Sequence, residues 1–203
     1  MDQFIFGYGS LIERESRCRT VPSAVHASPV VVEDLARRWD ARSTRLGAGI
    51  TYLGAGFAAG KECNGVLFKV DAAIQATDKR ERSYSRERLD AAQIRMLDGS
   101  DRPPDGDIWV YIYPKGKAPD AAYPIMQSYV DICLSGCLEV EEEFGGAGAA
   151  DFAACFIRAT ADWSSHWVND RAHPRRTQSY VPKLHIIDAL LHEHLNEFFD
   201  LIK

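Results

Sequence analysis

A pair of glycines interrupts a short apolar stretch near the start of the sequence. Residues 4–6 are apolar, and the next five, residues 7–11, read GYGSL. Glycines at the end of a strand let the backbone turn sharply and approach another group closely. Backbone N–H groups in such a turn lack strand partners and can form a concavity that binds an anion. This GYGSL turn matches neither a P-loop nor a dinucleotide-binding pattern, and a purely structural turn is the alternative interpretation.

A charged segment, residues 78–84 with the sequence DKRERSY, is the second candidate for chemistry. Glu81 and Tyr84 are three residues apart, so on a helix they would lie on one face. A carboxylate beside a phenol could act as an acid/base and hydrogen-bonding pair. The alternative interpretation is a charged helix end in solvent, which is what such runs usually are.

Other kinds of site find little support in the sequence. There is no HExxH and no GxSxG pattern, and Ser10 has no identifiable histidine and aspartate relay. His192 and His194 would point to different faces of a helix, so they are poor metal ligands. The five cysteines are odd in number and form no CxxC pair, and we expect plain thiols. We therefore expect no metal site.

The apolar pattern predicts strands in the first half of the chain and helices in the second. The predicted strands are residues 4–6, one beginning at 30–32, 50–53, 66–70 and 108–113, with turns at Gly54–Gly56 and Gly60. The predicted helices are residues 71–82, residues 123–143 and a C-terminal helix whose core face carries Ile186, Ile187, Leu190, Leu191, Leu195 and Phe198. Strands first and helices later, with one helix among the strands, indicate an α+β domain.

Composition excludes several classes of protein. The chain has 203 residues, of which 46% are hydrophobic and 26% charged, so we expect one globular domain over residues 1–203. A net charge of −5 argues against a nucleic-acid partner. No apolar run is long enough to span a membrane, and we expect a cytoplasmic protein.

With these elements in place, the sequence resembles the γ-glutamylcyclotransferase family. The resemblance is carried by three stretches in the right order: FGYGSL at residues 6–11, GVLFKV at 65–70 and DKRERSY at 78–84. The strand at residues 109–113 is similar to the next strand of the family, so the resemblance covers about residues 3–115. It implies a small mixed β-barrel flanked by helices, with no cofactor.

The resemblance also implies a reaction and a site. The α-amine of a γ-glutamyl compound would attack its own γ-carbonyl, which releases 5-oxoproline and an amine, amino acid or dipeptide. Glu81 would be the catalytic carboxylate, since one carboxylate can take the proton from the ammonium and return it to the leaving nitrogen. The implied substrate-binding residues are Gly7, Tyr8, Gly9, Ser10, Leu11 and Tyr84.

Departures from the family pattern leave the leaving group open. Asn64-Gly65 stands where some branches have Trp-Gly, and Ser83 stands where the glutathione-specific, ChaC-like branch has glycine. Glutathione, γ-glutamyl dipeptides and γ-glutamyl amines are all candidate substrates, and the oligomeric state is open. A non-catalytic small-molecule binding protein on the same fold is one alternative. An interaction module that exposes Trp163 and Trp167 is another, although these side chains fit equally well in the core.

Overall fold

A computed structural model describes residues 2–44, 47–70, 74–114, 116–175 and 183–202, and shows one large mixed sheet flanked by helices. The strands are β1 (Gln3–Gly7), β2 (Ser28–Ser43), β3 (Ile50–Lys69), β4 (Ser85–Leu89), β5 (Ile94–Met96), β6 (Asp107–Ile112), β7 (Ile125–Met126), β8 (Thr160–Ala161) and β9 (Trp167–Val168). The helices are α1 (Arg14–Cys18), α2 (Ile74–Arg80), α3 (Gln127–Phe144), α4 (Phe152–Ala159) and α5 (Leu184–Phe199).

Strand β1 lies near the centre of the sheet, so the GYGSL turn at its carboxyl end begins among the central strands. The main strand order is β4-β6-β1-β3-β2-β5, with β1 antiparallel to β3 and parallel to β6. Three two-residue strands extend the sheet: β8 pairs with β2, β7 with β3 and β9 with β7. The α+β fold class predicted from the sequence is confirmed.

One long hairpin replaces several of the predicted short strands. β2 and β3 pair from Ser28 opposite Leu67 to Ser43 opposite Ile50, so the predicted turns at Gly54–Gly56 and Gly60 are wrong. The register shifts between Glu33 and Leu35, where extra residues of β3 bulge out. Asp34 and Gly60 both have positive φ there, and the Asp34 carboxylate accepts a 2.7 Å hydrogen bond from the Gly60 N–H. The strand therefore continues through Gly54 and Gly56, and Gly60 lies at the bulge.

Close packing of β3 against β1 fixes where the GYGSL turn begins. Gly7, the last residue of β1, is paired with Val66. A Cβ on the neighbouring Gly65 would lie 2.5 Å from the Gly7 carbonyl oxygen and 2.5 Å from the ring of Phe6. No side chain fits in that space, so Gly65 lets the two strands approach and holds the end of β1 in place.

Helix α3 begins later than the sequence predicts. Ile125 and Met126 form β7 instead of a helical turn, because the Ile125 N–H donates to the His166 carbonyl in a parallel strand pair. The carboxylate of the buried Asp170 then accepts hydrogen bonds from the N–H and the hydroxyl of Ser128, in the first turn of α3. The predicted apolar face is nevertheless buried in full: Ile125, Met126, Tyr129, Val130, Cys133, Cys137 and Leu138.

Helix α5 and the tryptophan loop close the other side of the core. Ile187, Leu191 and Leu195 are buried as predicted, whereas Ile186 is 37% exposed, so its assignment to the core face is wrong. Trp167 is 1% exposed, and the ring of Trp163 is stacked on it with centroids 5.1 Å apart. Both tryptophans therefore belong to the core, and the exposed tryptophan patch that an interaction module would need is not present.

Within the described residues, the cysteines form neither a disulfide nor a metal-ligand cluster. All five cysteines carry thiols outside any disulfide within the described residues, with Cys63, Cys133 and Cys137 buried, Cys18 partly buried and Cys155 exposed. No group of three or more His, Cys, Asp or Glu side chains in the described ranges is arranged to hold a metal ion. A helix long and apolar enough to cross a membrane is likewise absent from those ranges.

Candidate active site

A cavity of about 210 Å³ opens at the carboxyl end of β1. Its walls come from the GYGSL turn, the loop end of the β2–β3 hairpin, the segment after α2, the end of strand β6 and the first turn of α3. All seven site residues predicted from the sequence line it: Gly7, Tyr8, Gly9, Ser10, Leu11, Glu81 and Tyr84. Others were missed by the sequence reasoning: Phe6, Ala41, Arg42, Ser43, Tyr52, Leu53, Ser83, Tyr111, Tyr113 and Tyr129.

The GYGSL turn is tightly wound. The Ile12 N–H donates to the Gly9 carbonyl at 2.9 Å, and a Cβ on Gly7 would lie 2.8 Å from the Cβ of Leu11. Any larger residue at position 7 would therefore force the turn open. The hydroxyl of Tyr8 is buried and donates to the Tyr111 carbonyl on β6 at 2.6 Å, which ties the turn to the neighbouring strand.

Two buried arginines hold the carbonyl oxygens of this turn from below. Arg37 of β2 donates to the Tyr8 carbonyl at 3.2 Å. Arg17 of α1 donates to the carbonyls of Leu11 and Ile12 at 3.1 and 2.7 Å, and burial lowers the pKa of its guanidinium. Sequence reasoning missed both contacts: Arg17 turns back onto residues five and six positions earlier, whereas Arg37 meets Tyr8 only once the strands are paired.

Glu81 reaches the cavity from a turn and not from a helical face. Helix α2 ends at Arg80, and the Glu81 N–H closes its last turn on the carbonyl of the buried Thr77 at 2.8 Å. The next turn is closed by the Tyr84 N–H on the Glu81 carbonyl at 2.8 Å. Glu81 is partly buried. The predicted helix over residues 71–82 is therefore too long at its end, and its first three residues lie outside the described ones.

Tyr84 is held as a neutral phenol at the cavity wall. Its hydroxyl donates to the Leu53 carbonyl at 3.1 Å, and its ring packs edge-on against Tyr113 with centroids 5.2 Å apart. Burial, and secondly the charge of Glu81, raises the pKa of Tyr84. Burial foremost, and then the neighbouring Tyr84 and Glu81, raise the pKa of Tyr8. Neither phenol can serve as a base near neutral pH, so they can contact a ligand as hydroxyls.

The remaining wall is aromatic. Tyr52 and Tyr129 pack edge-on with ring centroids 4.8 Å apart, and Tyr129 in turn packs edge-on against Trp39 in the core. A pattern in the sequence could have found two other wall residues: Tyr111 and Tyr113 are two apart near the end of a strand, so they share a face. Tyr52 and Tyr129 had no such signal, since they meet only after folding.

Charge in the cavity is sparse. Of the described lining residues, Glu81 is the only carboxylate and Arg42 the only cation. Arg42 bonds the Asp120 carboxylate at 2.7 Å, and its guanidinium lies 4.8 Å above the ring of Tyr123. The site therefore combines one partly buried carboxylate with a turn of backbone N–H groups. Tyrosine rings form much of the remaining wall.

Similar architecture occurs among solved structures. A protein described as gamma-glutamyl cyclotransferase superposes with a TM-score of 0.57 at 14% identity, over 93% of this chain and 99% of that one. The chain has the gamma-glutamyl cyclotransferase fold. The uncharacterized protein loc79017 from Homo sapiens gives a TM-score of 0.57 at 14% identity, over 92% of this chain and 98% of that one. YkqA from Bacillus subtilis gives 0.55 at 16% identity, over 77% of this chain and 53% of that one.

Sequence comparison adds no closer assignment. No family model matches the chain, and no curated protein matches it. At 14–16% identity these structural neighbours establish a common fold, and any role for the cavity has to be argued from its own residues.

Proposed function

We propose that the protein is a γ-glutamylcyclotransferase, which converts a γ-glutamyl compound into 5-oxoproline and a released amine, amino acid or dipeptide. The observation that carries the proposal is that Glu81 and the GYGSL turn line one cavity. The two segments are about seventy residues apart in the sequence, so their meeting is a property of the fold. The structural likeness to a gamma-glutamyl cyclotransferase supports the same assignment at the level of the fold.

The reaction needs a folded substrate conformer more than it needs a co-reactant. The α-amine forms a bond to the γ-carbonyl carbon, and the bond from that carbon to the leaving nitrogen then breaks. Starting from the ammonium, two protons leave the attacking nitrogen and two reach the leaving nitrogen, which departs as an ammonium ion, so atoms and charge balance without water. Holding the two ends of the substrate together supplies the rate advantage of an intramolecular reaction. A cavity walled by tyrosine rings and a tight backbone turn is suited to hold one such conformer.

Glu81 would carry the proton. A protonated α-amine has no lone pair and cannot attack, so the first task is its deprotonation. As the only carboxylate among the described lining residues, Glu81 is placed to take that proton and later to give it to the leaving nitrogen. Tyr8 and Tyr84 cannot replace it, because their raised pKa values keep them protonated.

The GYGSL turn would bind the negative oxygens of the substrate. Attack on the γ-carbonyl develops an oxyanion, and the glutamyl group also carries an α-carboxylate. Backbone N–H donors fixed before the reaction stabilise such charge without any cost of reorganisation. The bonds that tie Tyr8 to Tyr111 and the turn carbonyls to two arginines keep this turn rigid.

The test is mass-spectrometric detection of 5-oxoproline after incubation with glutathione, γ-glutamyl-alanine and γ-glutamyl-ethylamide. We expect release from at least one of the three, and loss of that release in Glu81→Gln. Glu87→Gln is the matched control, because Glu87 is an exposed carboxylate on β4 outside the cavity. It should retain full activity.

The outcome is decisive in either direction. Release that persists in a folded Glu81→Gln variant would remove Glu81 from its role. No release from any of the three compounds, with binding of one of them measured by calorimetry, would favour a non-catalytic binding protein on this fold.

A further inference from the structure

Arg37 is the most completely buried cation in the described part of the chain, and one of its bonds reaches the GYGSL turn. It lies in the middle of β2, opposite Ala55 of β3 and Thr160 of β8, and is 0% exposed. A buried guanidinium costs much free energy unless all its donors are satisfied. Each N–H donor of Arg37 therefore needs an acceptor in the core.

All five N–H donors of Arg37 are matched to oxygen atoms. Its acceptors are the Thr160 hydroxyl (2.7 Å), the carbonyls of Asn64 (2.7 Å), Phe156 (2.8 Å) and Tyr8 (3.2 Å), and the Asn64 side-chain oxygen (2.9 Å). The guanidinium also lies 3.7 Å above the ring of Phe156. None of these partners is a carboxylate, so within the described residues its positive charge is solvated by dipoles and is not cancelled.

One of these dipoles belongs to the candidate site. The peptide that joins Tyr8 to Gly9 is planar and trans, so its C=O and N–H point in opposite directions. The C=O points into the core, toward Arg37. The N–H of Gly9 therefore points away from Arg37, and Gly9 is one of the residues that line the cavity.

We infer that Arg37 is a positioning residue: it fixes the Tyr8–Gly9 peptide so that the Gly9 N–H donates to the oxyanion formed during attack on the γ-carbonyl. This inference rests on the proposed function. The contact does two things at once. It sets the direction of the donor, and a cation on the carbonyl side polarises the peptide, which strengthens the N–H as a donor.

Asn64 supports this assignment from the other side of the guanidinium. Two of its oxygens bond Arg37, and its side-chain N–H donates to the Phe152 carbonyl at 2.8 Å. The side chain is 4% exposed and has no contact with the cavity. The departure from the Trp-Gly pair of some family branches therefore coincides with a residue that orients Arg37.

The matched pair of variants for the test is Arg37→Lys and Thr160→Val. A lysine keeps the charge but cannot satisfy the same five acceptors, so the Tyr8 carbonyl loses its fixed partner. Thr160→Val removes the acceptor on the opposite side of the same guanidinium and leaves the Tyr8 contact in place. Both variants lose stability from the same buried group, whereas the inference predicts that only the first disturbs Gly9.

Steady-state kinetics would show the difference as a split between kcat and KM. Loss of an oxyanion donor costs about 100- to 1,000-fold in kcat, so we expect a misdirected one to cost about 30-fold in Arg37→Lys, with KM changed less than about threefold. Thr160→Val should keep kcat within about threefold of the wild type. Equal losses in both folded variants, or a rise in KM without a fall in kcat, would overturn the inference.

A ligand-free measurement separates this inference from the proposed function. In ¹⁵N-labelled protein, the amide resonance of Gly9 should shift and exchange faster in Arg37→Lys, and stay unchanged in Thr160→Val. An unmoved Gly9 amide overturns the inference even if the wild type is active. If the Gly9 resonance shifts in Arg37→Lys but the wild type releases no 5-oxoproline, the proposed function is contradicted. The orientation of the Tyr8–Gly9 peptide by Arg37 would still be supported.

If Arg37→Lys does not fold, a titration of the wild-type protein tests the inference. Titration with 5-oxoproline, and separately with acetate as a plain carboxylate, should shift the Gly9 amide more than the Ile12 amide, which is occupied by the Gly9 carbonyl. A Gly9 amide that does not respond to saturating 5-oxoproline would overturn the inference.

Discussion

The hydroxyl of Tyr111 donates a 2.7 Å hydrogen bond to the carboxylate of Asp78, and this contact joins the cavity wall to the helix that directly precedes Glu81. Asp78 lies on α2, three residues before Glu81, and also bonds Arg86 of β4 at 2.9 Å. Burial and the bond to Asp78 raise the pKa of Tyr111, so its hydroxyl remains a donor. The position of Glu81 therefore depends on β4 and β6 as well as on the helix that precedes it.

Tyr111→Phe tests this connection. The variant keeps the ring in the cavity wall and removes one hydrogen bond to a charged acceptor, which should cost about 1–2 kcal/mol in the free energy of unfolding. We also expect kcat/KM for 5-oxoproline release to fall about tenfold, because small displacements of a catalytic group are costly. Urea unfolding and steady-state kinetics measure the two effects.

Tyr113→Phe is the control for that experiment. Tyr113 lies on the same cavity wall, but its hydroxyl makes a long 3.4 Å contact with the Arg42 carbonyl and none with α2. Its loss should change kcat/KM less than about threefold. If the two variants lose activity equally, the link between Tyr111 and Asp78 does not position Glu81.

Local sequence pointed to two segments of this candidate site, and the family resemblance supplied their roles. The GYGSL turn and Glu81 can each be recognised from neighbouring residues. The first has two glycines at the end of a strand, and the second is a carboxylate just after a short helix. That they line one cavity could be anticipated only from the family resemblance, since nothing in either segment refers to the other.

The supporting shell could not be predicted in the same way. Arg37 contacts Tyr8, Asn64 and Thr160, which are 29, 27 and 123 residues away, and such pairs carry no periodic signal. The β3 strand was divided at its glycines because a glycine in a strand is read as a break. The structure uses Gly60 at a bulge instead, where positive φ is needed.

Helix α3 packs unusually close to the segment after the GYGSL turn, and Gly136 makes this possible. A Cβ at position 136 would lie 2.4 Å from the Glu13 nitrogen and 2.6 Å from its Cα, both backbone atoms that cannot move independently. Glu13 also caps α1 by accepting hydrogen bonds from the N–H groups of Glu15 and Ser16. We expect Gly136→Ala to lower the free energy of unfolding by about 3 kcal/mol, because overpacking a rigid contact forces the backbone apart.

The control for Gly136→Ala is Gly146→Ala. A Cβ on Gly146 would meet no atom within 4 Å. This variant should be neutral or slightly stabilising, since alanine restricts the unfolded chain more than glycine does. Thermal unfolding of both variants measures the difference. A Gly136→Ala protein as stable as the wild type would mean that the α3 contact with Glu13 can relax.

Arg42 offers a way to identify the leaving group. It is the only cation among the described lining residues, and it is held in place by Asp120 and the ring of Tyr123. A leaving group such as alanine carries a carboxylate, whereas ethylamine does not. In Arg42→Met we expect the preference for γ-glutamyl-alanine over γ-glutamyl-ethylamide, as a ratio of kcat/KM values, to fall about tenfold.

Arg42→Lys is the companion variant, because it keeps the charge and loses the planar fork. It should retain most of the preference if the interaction is mainly electrostatic. A ratio that is the same in the wild type and in Arg42→Met would place the leaving group away from Arg42.

Asp40 is a buried carboxylate outside the cavity lining and lies against the backbone of the β2–β3 hairpin. It is 6% exposed, and one of its oxygens has no hydrogen-bond partner in the described part of the chain. The other oxygen lies 3.1 Å from the guanidinium of Arg38. Burial, opposed in part by Arg38, raises the pKa of Asp40 to about 6.

Asp40→Asn should therefore make stability less dependent on pH. An aspartate whose pKa is raised in the folded state stabilises the fold fully below the unfolded value near 4, and loses this contribution as pH rises through about 6. Two pH units correspond to about 3 kcal/mol. Asp40→Asn should thus be more stable than the wild type by roughly that amount at pH 8, with no difference near pH 4.

Urea unfolding at pH 4, 6 and 8 measures this, with the exposed Asp105→Asn as a control that should change little at any pH. A stability difference between Asp40→Asn and the wild type that is the same at all three pH values would contradict the titration of Asp40 in this range.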